Sequence, residues 1–361
     1  MYNNIGKKCT EMINVFTKMK KVVKKVLPKQ ILNIIKIFYK KDNNIEIHKL
    51  GIRNPKKIFY VIKIFDSHWG SLSSWLCSMP RVKFALDSGY VPIIDFKNIS
   101  DFPSMLLDID KFKKENAWDL YFTQPQIDYS LDEVLKSSKV IYSSVKHNID
   151  YSNFSRSVIN GNLPLSNIDF LVLKKLYSLC HLNDEIIRTA MNTKNKLFPA
   201  EKKVLGVSFR RCFERLHEIN SDLTPIGTHI IRLTLKQLLI RIRELLKLYN
   251  YDLFFFTTDD RESLTVVKEE FGDKCIYNER PLGHHFENGN PIPKGQEEKM
   301  IVEFYKREKD VYLRNIEYLT DVYILSQCDS LLSCGGTADL FAYIINDGKY
   351  EHVVQPGNGQ K

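Results

Sequence analysis

The sequence of 361 residues, with 43% hydrophobic and 27% charged residues, is typical of a globular protein and long enough for two domains. No stretch approaches the roughly 18 consecutive apolar residues that a membrane span needs, and the amino terminus lacks the continuous apolar core of a secretory signal peptide. The seven cysteines are scattered without a CxxC pair, so free thiols in a reducing cytoplasm are expected and a zinc site is not.

The net charge of +10 is concentrated at the amino-terminal end of the chain. Residues 1–57 contain 15 Lys and Arg against 3 Asp and Glu, whereas the remaining residues contain 38 against 40. The body of the protein is therefore close to neutral, and general positive charge gives it no affinity for nucleic acid.

A basic amphipathic helical extension is predicted over 1–50. Apolar residues recur at spacings of three and four over 12–27, lysines fill much of the remaining helical wheel, and Pro28 ends or kinks the helix. Such a helix, taken over 10–41, suits an anchor on an anionic membrane surface. The alternative is a helix that packs on the protein's own core while its lysines are solvated. A nucleic-acid arm has no support from interleaved aromatic residues, and no nucleic-acid partner is expected.

The next region, 51–199, is predicted to be a Rossmann-like domain. Apolar, β-branched runs predict strands at 57–65, 91–95 and 139–142. A helical pattern interrupted by Pro80 covers 73–88, and 166–198 also has a helical pattern. Strands that alternate with helices in this way indicate a parallel sheet.

Aromatic residues of this region suit either stacking on sugars or packing in the core. They are Trp69, Trp75, Trp118 and Tyr121. For the last two we favour the core.

The final region, 200–361, repeats the strand, loop and helix order more clearly, so a second parallel sheet is predicted. The predicted strands are 204–209, 252–257, 274–277 and 330–333, and the predicted helices are 228–249, 261–271, 315–327 and 338–345. A polar insertion over 278–310 contains His284 and His285. We favour a surface loop for this insertion over a lid on the acceptor side, because two histidines without companion ligands are weak evidence for a metal.

Three polar groups follow strands of this second sheet, at the edge where open α/β sheets bind ligands. They are Arg210-Arg211, Asp259-Asp260 and Gly335-Gly336-Thr337. Guanidinium groups are permanently charged and bind two oxygens at once, so the arginine pair suits a diphosphate. The glycines let backbone N–H groups approach an anion at the start of a helix. The alternatives are a surface arginine pair in ordinary salt bridges and a common helix cap.

Three ordered motifs in this region resemble those of the α-1,6-fucosyltransferase superfamily, which includes nodulation-factor and N-glycan core fucosyltransferases. The motifs are GVSFRR (206–211), FFTTDD (255–260) and YLTDVYILSQCDSLLSC (318–334). The resemblance covers about 200–347, and the amino-terminal half matches loosely.

The resemblance implies a GT-B-like α/β fold, with two Rossmann-like domains whose parallel sheets face a cleft. It also implies an inverting, metal-independent transferase that uses GDP-fucose and no cofactor. Arg210 would bind the donor β-phosphate with help from Arg211, Glu218 would be the catalytic base, and Asp321 would recognise the guanine edge. Further donor-site residues would be Ser208, Asp259, Asp260, Gly335, Gly336 and Thr337. His217 is a second candidate for the base.

Departures from the family pattern leave open which sugar and which nucleotide base the donor carries. Cys212, Phe213 and Glu214 follow the arginines where the family has Thr-Asp-Lys, and Ser208 stands where the family has His. Another GDP-sugar, or a catalytically silent nucleotide-sugar or glycan-binding protein, is therefore an alternative. The DxD motif at Asp108 is interpreted as a loop or the start of a helix.

The predicted partners are a nucleotide-sugar donor and a glycan or lipid-linked glycan acceptor in bacterial-type surface polysaccharide synthesis. The predicted location is cytoplasmic, with a peripheral position on the inner face of the cell membrane if the basic helix is an anchor.

Overall fold

A computed structural model describes residues 45–63, 71–96, 116–144, 147, 149–154, 163–210, 233–280, 282, 286–287, 290–291 and 311–355. The chain divides into two compact units, 1–47 with 144–148 and 48–143 with 149–361. In the first unit, the backbone N–H of His147 donates to the carbonyl of Ser144 at 3.2 Å. The predicted basic helix, including all of 10–41, lies outside the described residues.

The first sheet of the second unit has three parallel strands in the order β2-β1-β3. The strands are β1 (Phe59–Ile62), β2 (Val91–Ile94) and β3 (Val140–Tyr142). In the register of the sheet, Phe59 lies opposite both Val91 and Val140. All of β1 is buried, as expected for a central strand whose neighbours are parallel. The predicted parallel sheet is confirmed here.

Helix α1 (Ser71–Asp87) connects the first two strands. The predicted interruption at Pro80 is wrong, because the helix continues through this residue. Proline removes one backbone hydrogen bond from a helix. Here Pro80 lies on the buried face with Trp75 and Met79, so packing in the core stabilises the helix across it. A short helix, α2 (Leu131–Val134), precedes β3 and begins with a capping box at Ser130.

Two helices lie between the sheets in the sequence, α3 (Asn167–Leu179) and α4 (Asp184–Leu197). They confirm the helical prediction for 166–198 and add a break at 180–183. Each begins at a residue whose side chain accepts a backbone N–H, namely Ser166 and Asn183. The predicted domain boundary at 199–200 falls just after α4 and stays a prediction.

The strands that follow α4 are β4 (Val204–Phe209), β5 (Leu253–Thr258), β6 (Cys275–Ile276), β7 (Phe286–Glu287), β8 (Asn290–Pro291), β9 (Ser330–Ser333) and β10 (Val353–Val354). The second parallel sheet has the order β10-β9-β4-β5-β6, and β7 pairs with β8 in an antiparallel hairpin. This confirms the second predicted sheet and adds β10, which the sequence did not predict. Every residue of β4 is buried.

The helices of this region are α5 (Leu235–Leu248), α6 (Arg261–Phe271), α7 (Val311–Leu325) and α8 (Thr337–Ile345). The helix predicted over 228–249 is wrong at residues 233–234, because Thr234 forms a capping box with Gln237 and the helix begins at Leu235. Residues 228–232 of this prediction lie outside the described residues. Helix α7 already includes Val311, four residues before its predicted start.

Aromatic packing joins two helices of this unit, one that follows β1 of the first sheet and one that follows β9 of the second. The ring of Trp75 on α1 lies edge-on to Phe341 on α8, with ring centroids 4.8 Å apart. Its indole N–H donates to the carbonyl oxygen of Cys180 at 2.6 Å. Trp118 and Tyr121 are buried as predicted. These contacts place α1 beside α8.

Candidate functional site

A cavity of about 150 Å³ lies at the carboxyl ends of β4 and β5. Residues 208–210 and 257–259 line it from these two strands, and Thr337 lines it from the start of α8. Ser71 and Ser73 contribute the first turn of α1. The cavity therefore occupies the edge of an open α/β sheet where ligands bind.

The lining of this cavity is positively charged. Among the described residues that line it, three carry a positive charge, Arg210, Arg280 and Arg314, and one carries a negative charge, Asp259. The start of α8 adds the partial positive charge of a helix amino terminus. This combination favours an anion with several oxygens.

Arg210 pairs with Asp259 at the cavity wall. The Nε atom of Arg210 donates to Oδ2 of Asp259 at 3.3 Å, and the two side chains are 40% and 12% exposed. The structure therefore brings together two of the residues predicted for the donor site. The half-exposed guanidinium of Arg210 remains accessible from the cavity.

Ser208 and Thr337 also line the cavity, and the two glycines shape the turn before α8. Gly335 has a φ of 76°, a left-handed conformation that favours glycine. Gly336 is the residue before α8, where it contributes no side-chain cap, and a Cβ added to it would meet no atom within 4 Å. The start of α8 is therefore open to an approaching anion.

Asp260 lies apart from the lining residues. It is fully buried, and its Oδ2 accepts from the backbone N–H and the hydroxyl of Ser263 at 2.8 and 2.6 Å. It therefore caps α6. Its predicted part in shaping the donor site stays a prediction.

Asp321 lies behind the cavity wall in a buried hydrogen-bond network. Its Oδ2 accepts from the Arg280 Nε at 2.7 Å and from the Thr257 hydroxyl at 2.9 Å. Its Oδ1 accepts from the Asn278 amide at 2.8 Å. A guanine edge could bind Asp321, as the family resemblance implies, only by sharing or replacing these bonds.

The electrostatics of this network keep Arg280 charged. Burial alone lowers the pKa of a guanidinium, but attraction and hydrogen bonding to Asp321 outweigh it, so the pKa of Arg280 is raised. Neither Arg280 nor Arg314 was among the residues predicted for the site. The available signal was position, because Arg280 follows β6 at the same sheet edge where Arg210 follows β4.

Other predicted residues lie outside the described residues and stay predictions. They are Arg211, Cys212, Phe213, Glu214, His217, Glu218, Trp69, Asp108, His284 and His285. In the described part of the chain, no group of three or more His, Cys, Asp and Glu side chains could hold a metal ion. The helices described here include none that is long and apolar enough to span a bilayer.

No protein-family model matches the sequence, and no curated protein matches it. Among solved structures, the chain is similar to the fucosyltransferase NodZ from Bradyrhizobium, with a TM-score of 0.45 and 13% identity over 79% of this chain and 92% of that chain. A NodZ α-1,6-fucosyltransferase soaked with GDP-fucose gives the same score and identity, over 80% and 93% of the two chains. POFUT1 in complex with GDP-fucose gives a TM-score of 0.34 at 12% identity, over 83% and 74%.

The fold of this chain is mixed α/β with parallel sheets.

Proposed function

We propose that the chain is an inverting, metal-independent glycosyltransferase whose donor is a GDP-sugar, with GDP-fucose as the first candidate. The observation that carries the proposal is the arginine-lined cavity at the carboxyl ends of β4 and β5. A departing nucleoside diphosphate develops negative charge, and guanidinium groups fixed beforehand stabilise that charge without reorganising. The choice of guanine and of fucose rests on the resemblance of the three sequence motifs.

The proposed roles of Arg210, Ser208 and Thr337 are supported by their places in the cavity lining, whereas those of Arg211 and Glu218 rest on the resemblance of the sequence motifs. Arg210, held by Asp259 at the cavity wall, is proposed to bind the donor β-phosphate with help from Arg211. Ser208 and Thr337 supply hydroxyl groups that suit a phosphate or a sugar. Glu218 is proposed as the base that takes the proton of the acceptor hydroxyl.

The acceptor side of the proposal rests on the sequence. A glycan or lipid-linked glycan acceptor, and a peripheral position on the inner face of the membrane, suit the basic segment at 10–41. The alternative of a catalytically silent binding protein is favoured by one observation, the replacement of Thr-Asp-Lys by Cys212, Phe213 and Glu214. Turnover separates the two functions.

The test is a thermal-shift and hydrolysis screen against GDP-fucose, GDP-mannose, and UDP- and TDP-sugars. We expect stabilisation by a GDP-sugar, with slow hydrolysis of the donor that is accepted. Arg210→Ala should lower the affinity about 10- to 100-fold, the loss expected for a charge-assisted hydrogen bond.

The matched control for this screen is Arg241→Ala. Arg241 is an arginine on α5 that pairs with Glu244 at 3.0 Å and does not line the cavity. If no nucleotide sugar stabilises the wild-type chain, the transferase proposal fails. If a GDP-sugar binds without turnover, the binding-protein alternative is correct.

A further inference from the structure

Arg280 is far more enclosed than Arg210, although both line the cavity. Its side chain is 9% exposed, against 40% for Arg210. Since it lies at the beginning of what the sequence presents as a polar insertion, its burial was not expected. A buried charge in the wall of a cavity needs a physical reason, because removing a charge from water is costly.

The surroundings of Arg280 fix its guanidinium on two sides. The Nε atom donates to Asp321 Oδ2 at 2.7 Å, and Nη2 donates to the carbonyl oxygen of Thr258 at 2.9 Å. Asp321 is itself held by Thr257 and Asn278, and its side chain is 4% exposed. The orientation of the planar group is therefore set before any ligand arrives.

The third nitrogen of this guanidinium is the one that a ligand can use. Nη1 makes no hydrogen bond to another residue in the described part of the chain, whereas Nε and Nη2 both do. Since Arg280 lines the cavity, an anionic oxygen there can accept from Nη1.

A buried ion pair is a weak source of stability, because desolvation offsets much of the attraction between its charges. The effect of the ion pair here is to fix the position of Arg280. Holding an arginine rigidly lowers the entropy lost when a ligand binds it. The Asp321 carboxylate also keeps the guanidinium charged in spite of its burial.

We propose that Arg280 is a second diphosphate-binding residue of the cavity, and that Asp321, together with Asn278, positions Arg280. This inference rests on the proposed function, since it assumes that a nucleoside diphosphate occupies the cavity. In this proposal Asp321 acts by holding Arg280, whereas the family resemblance implies that Asp321 contacts the guanine edge.

The first experiment measures the binding of GDP and of pyrophosphate by calorimetry. Arg280→Met should weaken both ligands about 10- to 100-fold, because a charge-assisted hydrogen bond to phosphate is lost. Arg280→Lys should also weaken both, because an ammonium on a flexible stem does not reproduce the guanidinium fork. The conservative lysine variant answers the question if the methionine variant does not fold. Arg241→Met is the matched control and should bind both ligands like wild type.

The second experiment tests whether Asp321 acts through Arg280 in a double-mutant cycle. Asp321→Asn should weaken GDP in the wild-type background and change it little further in the Arg280→Lys background. A residue with a separate contact to guanine would give additive losses. Asn278→Ala offers the same cycle at the edge of the network, in case the Asp321 variants do not fold.

The outcomes separate this inference from the proposed function. If wild-type protein binds no GDP, the proposed function fails and this inference falls with it. If wild type binds GDP but not pyrophosphate, or if Arg280→Lys binds both ligands like wild type, Arg280 is not a diphosphate residue and only this inference is overturned. Weakened GDP binding with unchanged pyrophosphate binding overturns it too. Additive losses in the cycle overturn the positioning role of Asp321.

Discussion

At the edge of the second sheet, some residues line the cavity and are proposed to bind the ligand, whereas others stabilise the elements around it. Arg210 and Arg280 both face the cavity, but each is held by a different carboxylate, Asp259 and Asp321. Asp260 follows Asp259 directly and belongs to the support, because one oxygen of its buried carboxylate accepts two hydrogen bonds at the start of α6. Adjacent residues of one motif therefore have different physical tasks.

The capping role of Asp260 gives a prediction about stability. Asp260→Ala removes the acceptor of two hydrogen bonds from Ser263, and should lower the free energy of unfolding by about 1–2 kcal/mol. Asp260→Asn keeps an oxygen acceptor and should retain most of the stability. Urea unfolding of the two variants checks this. An alanine variant as stable as wild type would contradict the capping role.

Arg210 and Asp259 could be predicted from the sequence because each follows a strand with a clear apolar pattern. Arg280 was not predicted, because it stands four residues after β6 and inside the segment 278–310 that the sequence presents as a polar insertion. Asp321, the partner of Arg280, lies 41 positions away in α7, and no local sequence pattern indicates an ion pair over that separation. For the same reason, the network around Asp321 could not be predicted.

At the scale of elements, the sequence predicted strands best where burial is complete. The predicted bounds of β4 and β9 agree with the structure, because every residue of these strands is buried and apolar runs mark such strands. The ends of α5 and α7 were less accurate. Helix ends depend on caps such as Thr234, which compete with the continuing apolar pattern.

The close approach of α7 to β4 gives a second prediction. A Cβ added to Gly206 would lie 2.8 Å from Cδ1 of Leu325 and 3.2 Å from Cβ and Sγ of Cys328, so the Leu325 side chain or the helix that carries it would have to shift. Gly206→Ala should therefore lower the free energy of unfolding by about 1–3 kcal/mol.

The matched control for this change is Gly336→Ala, since an added Cβ there would meet no atom within 4 Å. We expect it to change the free energy of unfolding by less than about 0.5 kcal/mol. Thermal melts of the two variants check the difference. Equal stability of both variants would show that the contact between α7 and β4 relaxes without cost.

For the whole molecule, the described part of the chain contains two parallel sheets within one compact unit, and the cavity has walls from both sheet regions. The basic charge lies elsewhere, in the amino-terminal 57 residues. Donor binding and membrane attachment are therefore expected to depend on different parts of the chain.

A truncation tests this separation. A chain that lacks 1–45 should lose its binding to vesicles of anionic lipid, because clustered lysines supply the attraction, and should keep its affinity for GDP. Sedimentation with anionic and with neutral vesicles, beside calorimetry with GDP, measures both. Vesicle binding that survives truncation would contradict the anchor. A large loss of stability would favour the alternative, in which the helix packs on the body.

The buried pair of Arg280 and Asp321 also has an evolutionary consequence. Either partner changed alone would leave an uncompensated charge in a place that water hardly reaches, which typically costs about 3–5 kcal/mol. Most single steps away from this pair would therefore be eliminated by selection, whereas a paired replacement with uncharged residues would be tolerated by the fold. We expect positions 280 and 321 to change together among descendants of a common ancestor. Such covariation would make the ion pair detectable from an alignment of their sequences.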